Sequence, residues 1–454
     1  MAEGEPAWTD DFPVDRQGHL EIGGVRASAL AGAYGTPLYV IDGHRLRTRM
    51  AEFRDALAPL GGTATYAGKA LLTSAVARLV AAEGLWLDVV SGGELYLALR
   101  AGMPAERMLV HGNNKSEEEL VAAVEAGAGR IVVDSLPELE RLGAVAARLG
   151  RRPAVLLRVA PGVEGGAHHH IQTGQEDSKF GLGLRSGDAL EAVRRALVLP
   201  SLALKGLHCH IGSQILDLTP FERATDAMLA FCLELKATVG YWPEELDLGG
   251  GLGIRYLPTD RPPSVADYVR ATAGRAHARA RAEGLPVPRT FLEPGRAIVG
   301  EAGVTLYSVG DRKVVPGVRT YVALDGGMGD NPRPALYGAR YSAALVDRAD
   351  APSTEAVTLA GRYCESGDIL ASDVWLPDVR PGDVIALFST GAYTLSMAST
   401  YNRVPRPALV WVEDGTARLV VRRETYEDLY VLEDPDAPAL PAPVGDPAAS
   451  GRKA

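Results

Sequence analysis

Between residues 60 and 295 the chain alternates short apolar runs, rich in Val, Leu, Ile and Tyr, with longer stretches whose apolar positions recur at helical spacing. Eight runs read as strands: TATYA from Thr63, LWLDVV from Leu85, RMLVH from Arg107, RIVVD from Arg130, AVLLRV from Ala154, LKGLHCH from Leu204, ELDLG from Glu245 and TFLEPG from Thr290. Helix starts follow several of them. Ser91, Ser116 and Ser135 each stand three residues ahead of a glutamate (Glu94, Glu119, Glu138), the spacing of a capping box, and Gly84, Gly102 and Gly127 stand where helices should stop. Eight strand-then-helix units predict an α/β fold built on a TIM-like (β/α)8 barrel, since parallel strands need crossover helices and the eighth strand can close on the first. A doubly wound open sheet is the rival that counting leaves open.

After residue 303 the pattern changes. GVTLYSVGDRKVVPGVRTYVALDGG, VTLAGRYCESGDIL and ARLVVRRETYEDLYVL read as strands broken by Gly, Pro and Asp turns, which predicts a mainly β domain. The N-terminal GHLEIGGVRASALAGAYGTPLYVID reads as β followed by a short helix, and is assigned to that second domain. The expected division is a barrel over 41–303, a β domain from 14–40 and 304–432, and a Pro/Ala-rich, disordered tail over 433–454.

Composition narrows the function. Hydrophobic residues at 46% and charged residues at 23% of 454 are ordinary for a globular protein. The net charge of -10 is spread along the chain without a basic block, which argues against nucleic acid as a partner. The cysteines Cys209, Cys232 and Cys364 are odd in number, so a reducing compartment is expected rather than a disulfide framework. With no apolar stretch long enough for a bilayer and no leader-like start, the expected location is the cytoplasm, without membrane partners.

In a (β/α)8 barrel the residues just past each strand face one bowl. Here those positions hold Lys69; Asp88 and Ser91; His111 and Asn113; Asp134; Arg158; His208, His210 and Ser213; Gly249 to Gly251; and Glu293 with Arg296. The triplet in DLGGGLGIRY bares backbone N–H groups to an anion above the seventh strand, where phosphate sites commonly form. His208 and His210 point to one side of their strand, as a metal pair or as a plate beside an aromatic cofactor; a buried core histidine is the plain reading of either alone. No full ligand set accompanies them, so no metal is assigned, and the run His168 to His170 receives no role. A lysine amine, a phosphate cradle, an imidazole and a carboxylate together fit pyridoxal 5'-phosphate, with Glu293 at the pyridine nitrogen.

The motifs YAGKA, DVVSGGEL, HCHIGSQI, DLGGGLGIRY, EPGR, RPALYGA, CESGDIL, GAYTLSMASTYN and RRETYEDL, in this order, resemble those of the fold type III (alanine racemase-like) pyridoxal-phosphate decarboxylases, and within them the diaminopimelate decarboxylase family. The resemblance runs from about Gly35 to Leu432. It implies that Lys69 holds the cofactor covalently and His210 stacks on its ring. Ser213, Gly250 and Gly251 would bind phosphate, Glu293 the ring nitrogen, and Tyr393 would lie beside the cofactor. Arg296, Arg333, Tyr337 and Tyr393 would contact substrate. Cys364, a proton donor, and Glu365 would come from a neighbouring subunit, which implies a homodimer with shared active sites. The implied reaction is decarboxylation of meso-2,6-diaminopimelate to L-lysine in lysine biosynthesis. The alternatives are a related decarboxylase acting on ornithine, lysine or arginine, a metal-dependent hydrolase using His208 and His210, and a non-catalytic homologue.

Overall fold

The eight runs form strands, each beginning within one residue of its expected start. They are β1 (Thr63–Ala67), β2 (Trp86–Val89), β3 (Met108–Val110), β4 (Arg130–Val133), β5 (Ala154–Ala160), β6 (Ala203–His208), β7 (Glu245–Asp247) and β8 (Arg289–Leu292). This is a computed structural model, which describes residues 12–163 and 178–433. The His168 to His170 run and the tail beyond residue 433 lie outside the described residues.

Each strand pairs parallel with the next, β5 with β6 included, and β8 returns to β1 with Phe291 opposite Thr63. That last pairing closes the barrel and excludes the open sheet. The strands read as nearly unbroken apolar runs because both faces are covered, by barrel filling inside and helices outside; β1 is buried at every position.

Two of the three expected capping boxes are only half formed. Ser116 and Glu119 cap reciprocally. Ser91 and Ser135 do cap their helices, but Glu94 accepts the Val90 N–H instead, and Glu138 pairs with Lys115 Nζ at 2.7 Å. Glu94 has thus exchanged the N-cap N–H for that of the residue before it, and Glu138 for a tertiary partner.

After the short turn of helix Arg296–Val299 the chain enters a long strand, β9 (Gly303–Val315). Its first half pairs antiparallel with Leu38–Asp42 and with Val384–Phe388, and its second half with Arg319–Leu324. Leu38–Asp42 lies between β9 and Ala408–Glu413, so the N-terminal segment is built into the sheet of the C-terminal strands. A short hairpin, Glu21–Arg26, and the helix Ala27–Tyr34 pack on this sheet through Leu20, Ile22 and Leu30. The ARLVVRRETYEDLYVL run is strand only over Thr416–Val421. Thr425 and Asp428 then form a capping box that opens the helix Tyr426–Tyr430.

Candidate active site

At the C-terminal end of the barrel a cavity of about 400 Å³ opens between the strands and the second domain. The barrel supplies Lys69, Asp88, His111, Asn113, Arg158, His208, His210, Ser213, Glu293 and Arg296 to its wall, and the second domain adds Arg333, Tyr337 and Tyr393. Gly251 lines a recess continuous with it through Lys69, His210, Ser213 and Arg296. Gly249 and Gly250 pack behind the wall, and two strand-end side chains do not reach the bowl. Ser91 spends its hydroxyl as a helix cap, and Asp134 turns to the Gly181 N–H at 3.2 Å. Cys364 and Glu365 are exposed on the 361–368 segment and are absent from this chain's cavity wall.

Lys69 sits in the single turn Gly68–Ala70 that follows β1, and its side chain is open to the cavity. The turn is held from both sides: Tyr66 Oη donates to the Leu71 carbonyl at 2.8 Å, and the Tyr393 N–H donates to the Ala70 carbonyl at 2.8 Å. Tyr393 adopts φ +59°, an uncommon conformation for a tyrosine, and its ring lies under the Arg296 guanidinium at 4.7 Å.

Glu293 is the buried charge at the centre. His208 Nε2 hydrogen-bonds to its Oε2 at 3.1 Å, and His111 Nε2 lies 2.6 Å from its Oε1. The second contact is close but poorly aligned with the ring N–H, so Oε1 keeps acceptor capacity to spare. Burial by itself favours the protonated acid, yet the two imidazoles more than offset it and hold the carboxyl well below its usual range. Burial pushes His208 down to about 4, so its ring is neutral at pH 7 and donates through Nε2. His210 is likewise driven well below its ordinary value by burial, with the charges of Lys69 and Arg158 adding. Its Nδ1 accepts the Gly250 N–H at 3.2 Å.

The glycine triplet is packed so closely that side chains are excluded. A Cβ on Gly250 would lie 2.2 Å from the Glu293 carbonyl oxygen, and one on Gly251, at φ +114°, 2.6 Å from that of Gly212. The loops after β6, β7 and β8 therefore meet backbone to backbone. Beside them Arg296 donates to Ser213 Oγ through Nη2 at 2.9 Å and to Tyr256 Oη through Nη1 at 2.5 Å, while Arg333 donates to Tyr341 Oη at 2.5 Å.

The sequence placed His111, Asp88 and Arg158 at the bowl without giving them work. His111 forms, with His208, the edge-to-face imidazole pair that brackets Glu293, their centroids 4.8 Å apart. Its only sequence signal was its place one residue past a strand. Phe180, whose ring faces the Arg158 guanidinium at 4.4 Å, had no signal at all.

Among the described residues the group whose donor atoms converge within 4.8 Å is His111, His208, Asp247 and Glu293. His210 is outside it, so His208 and His210, the pair weighed as metal ligands, do not share that group. Within the group, the direct contacts of Glu293 with both imidazoles occupy the space an ion would need.

Residues 44–300 match the family described as pyridoxal-dependent decarboxylase, pyridoxal binding domain. The chain is also 49% identical over 423 residues to the diaminopimelate decarboxylase of Bacillus subtilis (strain 168), covering 93% of this chain and 96% of that protein. This chain belongs to the diaminopimelate decarboxylase family. A second family member, from Mycobacterium tuberculosis (strain ATCC 25618 / H37Rv), is 48% identical over 438 residues, covering 94% of this chain and 97% of its own. In three dimensions the chain superposes on the crystal structure of the diaminopimelate decarboxylase from M. jannaschii in co-complex with L-lysine. The TM-score is 0.86 at 36% identity, covering 93% of this chain and 97% of that one.

The cofactor of the family fits the residues present. Glu293 is a buried, ionised carboxylate whose Oε1 keeps acceptor capacity, which a protonated pyridine nitrogen would take up. The recess lined by Gly251, Ser213 and Arg296 is rich in donors for a phosphate.

Proposed function

We infer that this chain is a pyridoxal-phosphate-dependent carboxy-lyase that converts meso-2,6-diaminopimelate to L-lysine and CO2. The observation that carries the reading is the joint presence, on one cavity wall, of Lys69 from the turn after β1 and of the buried, ionised Glu293 carboxylate from the loop after β8. Closure of β8 on β1 makes them neighbours although 224 positions separate them in sequence.

When bound, the cofactor supplies an electron-accepting ring for the pair left behind as the α-carboxylate departs as CO2. Lys69 offers the amine that attaches to its aldehyde carbon. Glu293 holds a proton on the pyridine nitrogen, a task for which its low pKa suits it, because the carboxylate stays ionised and accepts rather than donates. The neutral His210 ring, oriented by its hydrogen bond from Gly250, would stack on the cofactor. Ser213, Gly250 and Gly251 line the phosphate end, where Arg296 adds positive charge. Tyr393 borders cofactor and substrate. Arg296, Arg333 and Tyr337 receive substrate carboxylate, and arginine forks match that planar group in a way an ammonium does not. Two carboxylates on the substrate separate it from ornithine and lysine, which carry one.

Cys364 and Glu365 complete the site from the second subunit of a homodimer. Their exposure on a segment away from this chain's own cavity supports that arrangement. Cys364 then returns the proton to the α-carbon, and Glu365 meets the distal ammonium. The cytoplasm is the proposed location; no described helix is long and apolar enough to cross a membrane.

The test is CO2 release from meso-diaminopimelate, lysine, ornithine and arginine with added cofactor. Faster turnover of meso-diaminopimelate is expected, and equal or faster release from lysine or ornithine refutes the substrate. Retention of the imine absorbance by Lys69→Ala refutes the cofactor attachment.

A further inference from the structure

Two segments of the second domain carry Arg333 and the pair Cys364 and Glu365, and one carboxylate ties them together. The first, 325–333, ends at Arg333, which faces this chain's own cavity. The second, 361–368, carries Cys364 and Glu365 outward. Asp368 is buried between them. Its Oδ1 accepts the Met328 N–H at 2.6 Å, and its Oδ2 accepts the Tyr363 N–H, one residue before Cys364, at 2.8 Å. The fit around it leaves no room for change. A Cβ on Gly327 would stand 2.4 Å from Asp368 Oδ1, and one on Gly361 2.1 Å from Oδ2.

Further bonds run between the same two segments. The Arg362 N–H donates to the Gly326 carbonyl at 3.1 Å, and Tyr363 Oη to Asp330 Oδ1 at 3.4 Å. Asp330 in turn is anchored by Tyr307 Oη at 2.5 Å and by the Gly327 N–H at 2.8 Å. The Asn331 side chain accepts from Tyr341 Oη, the group that receives Arg333 Nη1. Hydrogen bonds, joined through the covalent link between Asp330 and Asn331, thus lead from Tyr363, the residue before Cys364, to the guanidinium of Arg333.

We propose that Asp368 is a positioning residue for both active sites of the homodimer at once, setting Arg333 in its own subunit's site and Cys364 with Glu365 in the neighbouring one. The proposal rests on the shared-site reading above. Asparagine cannot replace it, because an amide offers one acceptor oxygen and would turn its NH2 toward one of the two N–H donors.

Differently tagged subunits, co-expressed and purified as mixed dimers, provide the test. A Lys69→Ala/Cys364→Ala mixed dimer keeps one site with all its wild-type residues and is expected to be active; if it is inactive, the shared-site reading itself fails. Asp368→Asn is then introduced in two placements. Opposite a Lys69→Ala subunit it lies on the side that supplies Lys69 and Arg333 to the sole working site, and KM for meso-diaminopimelate is expected to rise about tenfold. On the same subunit as Lys69→Ala, opposite wild type, it lies on the side that supplies Cys364, and kcat is expected to fall about tenfold relative to Lys69→Ala/wild type. An effect in only one placement overturns the joint role. The same fall in apparent kcat in both placements, with KM unchanged, marks general destabilisation and also overturns it. Should Asp368→Asn give no soluble dimer, Gly327→Ala, which presses on the same carboxylate, is placed in the same two ways with the same expected split.

Discussion

Lys115 stands among polar residues just ahead of the Ser116 helix cap, yet it is buried and spends its three N–H donors on the Gly112 carbonyl at 2.6 Å, the Val132 carbonyl at 2.7 Å and Glu138 Oε1 at 2.7 Å. Lys115→Met removes all three and strands a carboxylate in the barrel wall. Breaking a buried pair from one side costs about 3–5 kcal/mol, and at about 2 °C per kcal/mol for a unit of this size the melting midpoint should drop by about 6–10 °C. The double variant Lys115→Met/Glu138→Leu removes both charges and should regain more than half of that loss, since replacing a buried pair by apolar groups is often nearly neutral. Burial raises the Glu138 carboxyl even against the pull of Lys115, so without the lysine its folded-state pKa stands further above the unfolded value. Stability tied to such a group is complete at low pH and is lost as pH rises through the folded pKa. The Lys115→Met deficit should therefore be smaller at pH 5 than at pH 8. Thermal melts of the wild type, both single variants and the double at the two pH values check this. A double variant as unstable as the sum of the singles, or a deficit that shrinks with rising pH, would refute the reasoning.

Burial raises Glu94 to about 7, which by the same sign means it destabilises the fold above that pH; Glu94→Gln, which can still accept the Val90 N–H, should raise the melting midpoint at pH 8 and leave it nearly unchanged at pH 5. Gly250→Ala puts a methyl group 2.2 Å from the Glu293 carbonyl oxygen, so cofactor affinity, read by titrating the imine absorbance, should weaken at least about tenfold; unaltered affinity would show that the loops tolerate separation. Arg333→Ala should raise KM for meso-diaminopimelate about tenfold or more while leaving cofactor binding intact, and a loss of cofactor absorbance instead would move Arg333 from the substrate to the cofactor.

The barrel was legible because each parallel strand is a short apolar run and each is followed by its own helix, information that is local in the chain. The cavity wall was legible for the same reason: Lys69, His210 and Glu293 stand just past strands, and the barrel turns that one-dimensional fact into a ring. What stayed hidden depends on distance in sequence. His111 meets Glu293 across 182 positions, and Glu138 serves Lys115 rather than the serine three residues before it. Tertiary contacts of this kind leave no local period. The order of strands in the second domain was hidden likewise, since β9 divides its length between two sets of partners, and no pattern within Gly303–Val315 announces where the change occurs.

The insertion of Leu38–Asp42 between β9 and Ala408–Glu413 has a consequence for biogenesis. A nascent chain exposes this apolar strand early, yet its two edges find their partners only after about 260 and then about 370 further residues have been synthesised. Until then the barrel has a bare, sticky doorstep. A stop codon anywhere before Ala408 should thus yield aggregated protein rather than a trimmed but soluble barrel.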